Sequence, residues 1–344
     1  MTLEQLGWSS FFEKQSCPFT PARVMEEQRG AWRVCGEALD AWATLNGAFR
    51  RQAETRGDLP ATGDWVGVRG TAIEHVFTRR SRFSRQAAGT RTAEQVVAAN
   101  VDTVFVMTSL NRDLNLARLE RYLTSVWESG ATPVVLLSKS DLVDDPAPAV
   151  AGVDAIAPGV TVLAVSALDG AGLDALAPFL QPGSTVALVG SSGVGKSTLT
   201  NRLLDREEQA VAAIREDDDR GRHTTSSRRL IRMPGGALLL DTPGMRELQL
   251  WDGGASLERV FPEIETLAGK CRFRDCQHQG EPGCAVQQAI AEDRLDPRRM
   301  ESFRKLEKEL NYAAIKQDAA LRAEQKKKWK RMHKAQRDFY RERR

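Results

Sequence analysis

The chain has 344 residues, 41% hydrophobic and 28% charged, with a net charge of +3. That is apolar mass for two or three domains with a sizeable core, but no apolar run approaches the roughly 20 residues of a membrane span. No basic segment followed by a long apolar one opens the chain, so the expectation is a cytoplasmic protein without a membrane partner, and nothing in the sequence asks for more than a monomer.

In chain order, residues 1–29 lack a sustained period and read as an N-terminal extension of low order. Residues 30–90 read as short strands divided by glycines: Ala31–Gly36, Gly63–Arg69 and Ala72–Phe77. Such a stretch suits a small all-β barrel of oligonucleotide-binding (OB) type, although composition alone does not separate that from an SH3-like barrel. Arg79, Arg80, Arg82 and Arg85 with Phe83 close it, a mix that suits RNA backbone contact and stacking or, equally, a solvated linker. Residues 91–250 alternate strands and helices, the pattern of a doubly wound α/β domain. Its strands are expected at Val101–Thr108, Thr132–Leu137, Thr161–Val165 and Val186–Val189. Helices are expected at Leu114–Ser129 and Leu173–Leu180, with a Pro/Ala/Gly-rich link before Thr161. A charged loop over 216–225 precedes two hairpin-like runs, Arg229–Met233 and Ala237–Leu240. Residues 251–320 read as a helical metal-binding domain, with helices after Cys284 and after Pro297. Residues 321–344 form a basic tail around Lys326, Lys327, Lys328, Lys330 and Arg331, either a nucleic-acid-binding arm or a solvating one.

The chemistry centres on Gly190, Ser191, Ser192, Gly193, Val194, Gly195, Lys196, Ser197 and Thr198. A strand runs into G-x-x-x-x-G-K-S and a helix follows, the context of a phosphate-binding loop. Backbone N–H groups and the helix dipole would cradle phosphates, Lys196 would reach the outer ones, and Ser197 would hold Mg²⁺. Asp241 and Gly244 follow an apolar strand and suit a second Mg²⁺ contact and an N–H at a γ-phosphate. Thr224 or Thr225 could supply the hydroxyl that closes over Mg²⁺. Ser138, Lys139 and Asp141 follow another strand, where the carboxylate can accept from guanine N1 and N2. Ser166 and Ala167 could offer an N–H to guanine O6. Together these motifs select GTP over ATP.

Their order is base motifs, phosphate loop, switches, which is a circular permutation of an ordinary GTPase. Here the chain resembles the circularly permuted, ribosome small-subunit-dependent GTPase A family. The resemblance runs through Ala61-Thr-Gly-Asp-Trp-Val66, Arg79-Arg-Ser81, Glu94-Gln95, Ala99-Asn-Val-Asp102, Gly221-Arg-His-Thr-Thr225 and the C-terminal Cys/His cluster. It implies a permuted P-loop GTPase domain between an OB-type barrel and a helical zinc domain. It further implies binding to the small ribosomal subunit and its rRNA, with GTP hydrolysis driving late maturation and the protein's own release.

Cys271, Cys276, His278 and Cys284 have spacings that close around one structural, tetrahedral Zn²⁺; free thiols beside a surface histidine are the bland alternative. Cys17 and Cys35 have no partner at metal spacing. Two departures stand out. Ser138 occupies a place where Asn usually tethers the base motif to the phosphate loop, and its shorter side chain predicts modest affinity. Met245 fills the slot of a water-positioning Gln. His223, beside Thr224, is the internal candidate for that catalytic role and matches the family's residue there; a surface histidine in a charged loop is the alternative. Three functions compete: a GTP-hydrolysing switch on the small ribosomal subunit, a nucleotide-gated RNA-binding protein whose hydrolysis is incidental, and a metabolic phosphotransferase, for which no acceptor pocket is apparent in the sequence.

Overall fold

The computed structural model describes residues 1–53, 55–86, 94–111, 113–205, 228–241 and 254–317. The chain divides into two compact units, Met1–Gln249 and Leu250–Arg344.

In the first unit, strands β1 (Thr20–Gln28), β2 (Ala31–Gly36), β3 (Leu39–Leu45), β4 (Trp65–Arg69) and β5 (Ala72–Val76) close into a five-stranded barrel. The order around it is β1-β2-β3-β5-β4, with β4 returning to β1. Ala22, Val24, Trp32, Val34, Val66 and Ile73 fill its core.

The extension expected over residues 1–29 is therefore corrected: Thr20–Gln28 is the barrel's first strand, and Leu6 and Phe12 ahead of it are buried against Trp65 and Phe77. Pro21 and the charges of Arg23, Glu26 and Glu27 mask the apolar alternation of Ala22 and Val24. The buried charge among them is satisfied by long-range partners that a local pattern does not reveal. Arg23 Nε donates to Gly63 O at 3.1 Å, and its terminal nitrogens donate to Leu6 O, Asn100 O (3.0 Å) and Thr185 Oγ1 (3.0 Å).

A hairpin, β6 (Arg82–Gln86) and β7 (Glu94–Ala99), leads from the barrel into a second sheet. That sheet contains β8 (Thr103–Ser109), β9 (Thr132–Ser138), β10 (Thr161–Val165), β11 (Thr185–Gly190), β12 (Arg228–Arg232) and β13 (Leu238–Asp241). The strand order is β10-β9-β8-β11-β13-β12, parallel throughout except at the β12–β13 pair. Its inner strands are continuous buried runs, as a sheet covered on both faces requires.

Helix α1 (Leu116–Ser129) follows β8. Asn115 caps its start, accepting from Arg118 N at 3.0 Å, and Gly130 ends it in the left-handed region. The Pro/Ala/Gly-rich link expected before β10 contains helix α2 (Ala147–Asp154), which buries Val153. Alanine favours helix, and Pro146 sits at its N-cap, where proline costs no internal hydrogen bond. Helix α3 (Lys196–Leu203) follows β11 directly.

Barrel and sheet are continuous through one strand. The first half of a β1 edge pairs with β4 and closes the barrel, while further along that edge Glu26 and Glu27 pair with Arg229 and Arg228 of β12. Ion pairs Arg228–Glu27 and Arg229–Glu26, both at 3.2 Å, reinforce the join.

The second unit contains α4 (Gly254–Val260), α5 (Pro262–Ala268), α6 (Ala285–Ala291) and α7 (Pro297–Gln317). Val260, Phe261, Ile264, Val286, Phe303 and Leu306 supply buried apolar side chains. Arg299 lies over the Phe261 ring at 4.4 Å and donates to Val260 O at 2.7 Å. No helix among the described residues is long and apolar enough to cross a membrane.

Candidate nucleotide site and metal centre

The carboxyl ends of β8, β9, β10 and β11 lie side by side, with Met107 opposite Gly190 and Ser138 opposite both Ser109 and Val165. Ligands of open α/β sheets bind at such strand ends. Gly190 leaves β11 with φ +150°, and a side chain there would have its Cβ 2.4 Å from Met107 O, so the loop can start this close to β8 only with glycine. Gly193 and Gly195 also have positive φ, and Gly195 is the N-cap of α3. Lys196 Nζ donates to Gly190 O at 2.7 Å and Ser191 O at 2.5 Å, folding the ammonium back over the loop. Ser192 and Ser197 are exposed, and Val194 is buried.

At the end of β9, Lys139 takes a left-handed conformation, φ +59°, and turns the chain into a short helical turn, Ser140–Leu142, which carries Asp141. Asp141, Lys139, Ala167, Gly195 and Thr198 line one cavity of about 230 Å³, with Met107 and Leu199 contributing apolar surface. The two base motifs and the phosphate loop, separate in sequence, thus share one space.

Ser138 is buried, and its Oγ lies 2.6 Å from Val194 O and 3.3 Å from Thr108 O. The shorter side chain therefore still ties the base motif to the phosphate loop. Ser166 is buried as well. Its amide donates to Ala171 O, and its Oγ accepts from the Leu168 and Asp169 amides, so its polar groups serve its own loop. Asp241 ends β13, next to β11. His223, Thr224, Thr225, Gly244 and Met245 lie outside the described residues, as does the basic tail.

Sequence reasoning missed Asp113, which accepts from Ser191 Oγ at 2.6 Å. No motif surrounds it. The basic stretch at the end of the barrel has a structural task. Arg79 forms a two-pronged pair with buried Asp64 (2.8 and 2.7 Å) and donates to Gly57 O and Leu59 O. Phe83 is buried, and Arg80 pairs with Asp102. Arg79 and Phe83 are thus engaged within the protein, which neither the RNA-contact nor the solvated-linker reading anticipated.

In the second unit, one donor atom from each of Cys271, Cys276, His278 and Cys284 lies within 4.8 Å of the others. Cys271 Sγ and Cys284 Sγ are 4.0 Å apart, and each lies 3.5 or 3.4 Å from His278 Nδ1. A tetrahedral zinc ion would set these separations near ~3.8 Å and ~3.5 Å, so the donor set fits one. His278 has φ +57°, and its carbonyl accepts from Gln287 Nε2 at 2.6 Å and from Arg304. Cys284 caps α6, its Sγ accepting from Gln287 N at 3.4 Å. Burial opposes ionisation of Cys271, but N–H groups of Ala285 and Val286 and bonds with the other two thiols prevail and hold it below the ordinary thiol value. Burial and the neighbouring thiols push Cys276 up to about 11. Were all three cysteines thiolates, as zinc ligation demands, their mutual repulsion would call for a cation among them.

The family model for the RsgA GTPase matches residues 76–251. A small ribosomal subunit biogenesis GTPase RsgA of Opitutus terrae is 46% identical, over 98% of this chain and 97% of the relative. The chain belongs to the RsgA GTPase family. A relative of the same name from Methanosarcina acetivorans is also 46% identical, over 91% of this chain and 86% of its own. Among solved structures, YjeQ from Thermotoga maritima has a TM-score of 0.62 at 24% identity, covering 85% of this chain and 98% of its own. YloQ, described as a circularly permuted GTPase, has a TM-score of 0.58 at 22% identity, covering 85% of this chain and 95% of its own. RsgA family membership makes this chain a GTP hydrolase, and the likeness to YjeQ and YloQ establishes the permuted fold in which β8–β10 precede the phosphate-loop strand β11.

Proposed function

We propose that this GTPase holds GTP and Mg²⁺ in the cavity between Asp141 and the phosphate loop, and hydrolyses GTP on the small ribosomal subunit to time a late step of its maturation and its own release. The observation that carries the site is that Asp141, Ala167, Gly195 and Thr198 line one cavity although three separate loops supply them. The subunit as partner follows from the names of the relatives. Contact with its rRNA is the role of the barrel and the basic tail, and the working form is a monomer in the cytoplasm.

Asp141 accepts from guanine N1 and N2. With the Ser166 amide engaged by Ala171, the Ala167 amide is the candidate donor to O6. Backbone N–H groups of residues 191–198 surround the phosphates, and Lys196 exchanges its two loop carbonyls for phosphate oxygens. Ser197, Asp241 and Thr224 or Thr225 would hold Mg²⁺, which would supply charge neutralisation for the phosphates. Gly244 gives its N–H to the γ-phosphate. His223 orients the attacking water in place of the Gln that Met245 displaces. In the second unit, Cys271, Cys276, His278 and Cys284 hold a structural zinc with no open position, so no chemistry is assigned there.

Measuring GTP turnover with and without purified small subunits tests this. Strong stimulation is expected, and His223→Ala should abolish most of it. GTP-dependent subunit binding without turnover would instead make hydrolysis incidental, and transfer to a small acceptor would sink the switch altogether. Asp141→Asn should lose GTP by about a hundredfold while gaining xanthosine triphosphate, because an unmatched hydrogen-bond donor now faces the guanine.

A further inference from the structure

Just beyond β8 stand Asn111, Asp113 and Asn115, which no motif marks. Asp113 accepts a 2.6 Å hydrogen bond from the hydroxyl of Ser191, the first side chain after Gly190 in the phosphate loop. The other carboxylate oxygen of Asp113 pairs with Arg118 at 2.6 Å, and Arg118, in the first turn of α1, also donates to the Asp113 carbonyl. Asn111 Oδ1 braces Asp113 by accepting from its N at 3.0 Å and from Ser109 Oγ at 2.8 Å. A carboxylate is a costly neighbour for a loop that gathers N–H groups around phosphates, because its field repels them. Arg118 cancels that charge where it stands. Both side chains are partly exposed, 24% for Asp113 and 37% for Arg118, so the field is weakened by water but not removed.

We propose that Asp113 and Arg118 are a positioning pair for GTP binding. Asp113 fixes Ser191 and with it the entry of the phosphate loop, while Arg118 keeps this anchor from repelling the nucleotide. The compensation matters more for the triphosphate, which carries one more negative charge than the diphosphate. This inference rests on the proposed seat of GTP beside Asp141.

Titration of the full-length protein with fluorescently labelled GTP and GDP tests it, with melting temperatures recorded for each variant. Arg118→Ala should weaken GTP about tenfold and GDP about threefold, and added salt should shrink the difference. Adding Asp113→Asn to that background removes the stranded charge while keeping an oxygen acceptor for Ser191, and should return GTP affinity to within about threefold of wild type. Arg118→Lys should sit near wild type. Equal losses for both nucleotides without recovery in the double variant would mean Arg118 is structural only and overturn the proposal. Ser191→Ala should weaken both nucleotides about three- to tenfold. No change there would remove the anchor even if Arg118→Ala failed to fold. If wild type bound no GTP, or Asp141→Asn bound it as well as wild type, the guanine seat itself would fall and this inference with it. A flat Arg118 series with a sensitive Asp141 overturns the pair alone.

Discussion

The Arg23 junction of the first unit is a buried polar knot, and the Cys₃His cluster of the second is a partly exposed one. They differ in what completes them. Arg23 has its acceptors within the chain: carbonyls of Leu6, Gly63 and Asn100 and the Thr185 hydroxyl, with the Trp65 ring 5.5 Å away. Burial lowers its pKa to about 10, with Asp102 working in the opposite direction, so it stays charged at neutral pH. Asp102 also accepts from Thr185 N at 2.8 Å, binding the barrel side of the junction to the strand that starts the phosphate loop. The cysteine cluster instead presents three thiols and an imidazole with too few protein donors to satisfy three thiolates. A self-satisfied knot is permanent once folded; a ligand-completed one depends on supply. On the zinc reading proposed above, one chain carries a constitutive joint and a conditional one.

The largest expected effect breaks the conditional joint. Cys284→Ser, or a strong chelator, should abolish the cooperative melting of the second unit, because binding energy at such sites, of order 10 kcal/mol, is folding energy. Melting of the first unit should stay put, and chelation that leaves the second unit's transition unchanged would refute the metal. Next comes Arg23→Met, which strands the Leu6 and Asn100 carbonyls and the Thr185 hydroxyl, while Gly63 O keeps Asn100 Nδ2; it should destabilise the first unit by about 3–5 kcal/mol in denaturant titrations followed by tryptophan emission. Arg23→Lys should recover only part, since an ammonium cannot reproduce the planar fork. A loss below about 1 kcal/mol would show the junction to be ornamental. The smallest effect separates buried knots from surface pairs: Arg33 and Asp40 form two 2.8 Å bonds on the barrel's outside, with side chains 47% and 53% exposed. Asp40→Asn should cost less than about 1 kcal/mol despite the better geometry.

What was legible in the sequence follows the same division. The phosphate loop, the base motifs and the ligand spacing of the cluster are local arrangements, so their residue order alone points to their chemistry, and even the permutation is visible as an order of motifs. The strands at Thr103, Thr132 and Thr185 are buried runs and stand out as such. Long-range satisfaction was not legible. Arg23 looks like a surface residue until residues 40, 77 and 162 positions away come to meet it. The tie from Ser138 depends on how closely β9 approaches Val194, which side-chain length alone does not give. Asp113 belongs to no motif because its partner, Ser191, is 78 residues distant. Arg79 looks like an RNA contact because its carboxylate partner, Asp64, is hidden inside the barrel.

The divided edge of β1 has a consequence for synthesis. A ribosome delivers the five barrel strands early, and the barrel can close once Val76 is out. The far end of β1 must then wait, since Glu27 and its partner Arg228 are separated by 201 positions. Throughout that interval the nascent chain presents two acidic residues and an unpaired stretch of backbone. The charges of Glu26 and Glu27 discourage another strand from docking there, as charged edges generally do. Only when Arg228 and Arg229 arrive does the edge meet its complement, so this seam joins the first strand translated to one of the last, a non-local pairing of the kind that slows folding.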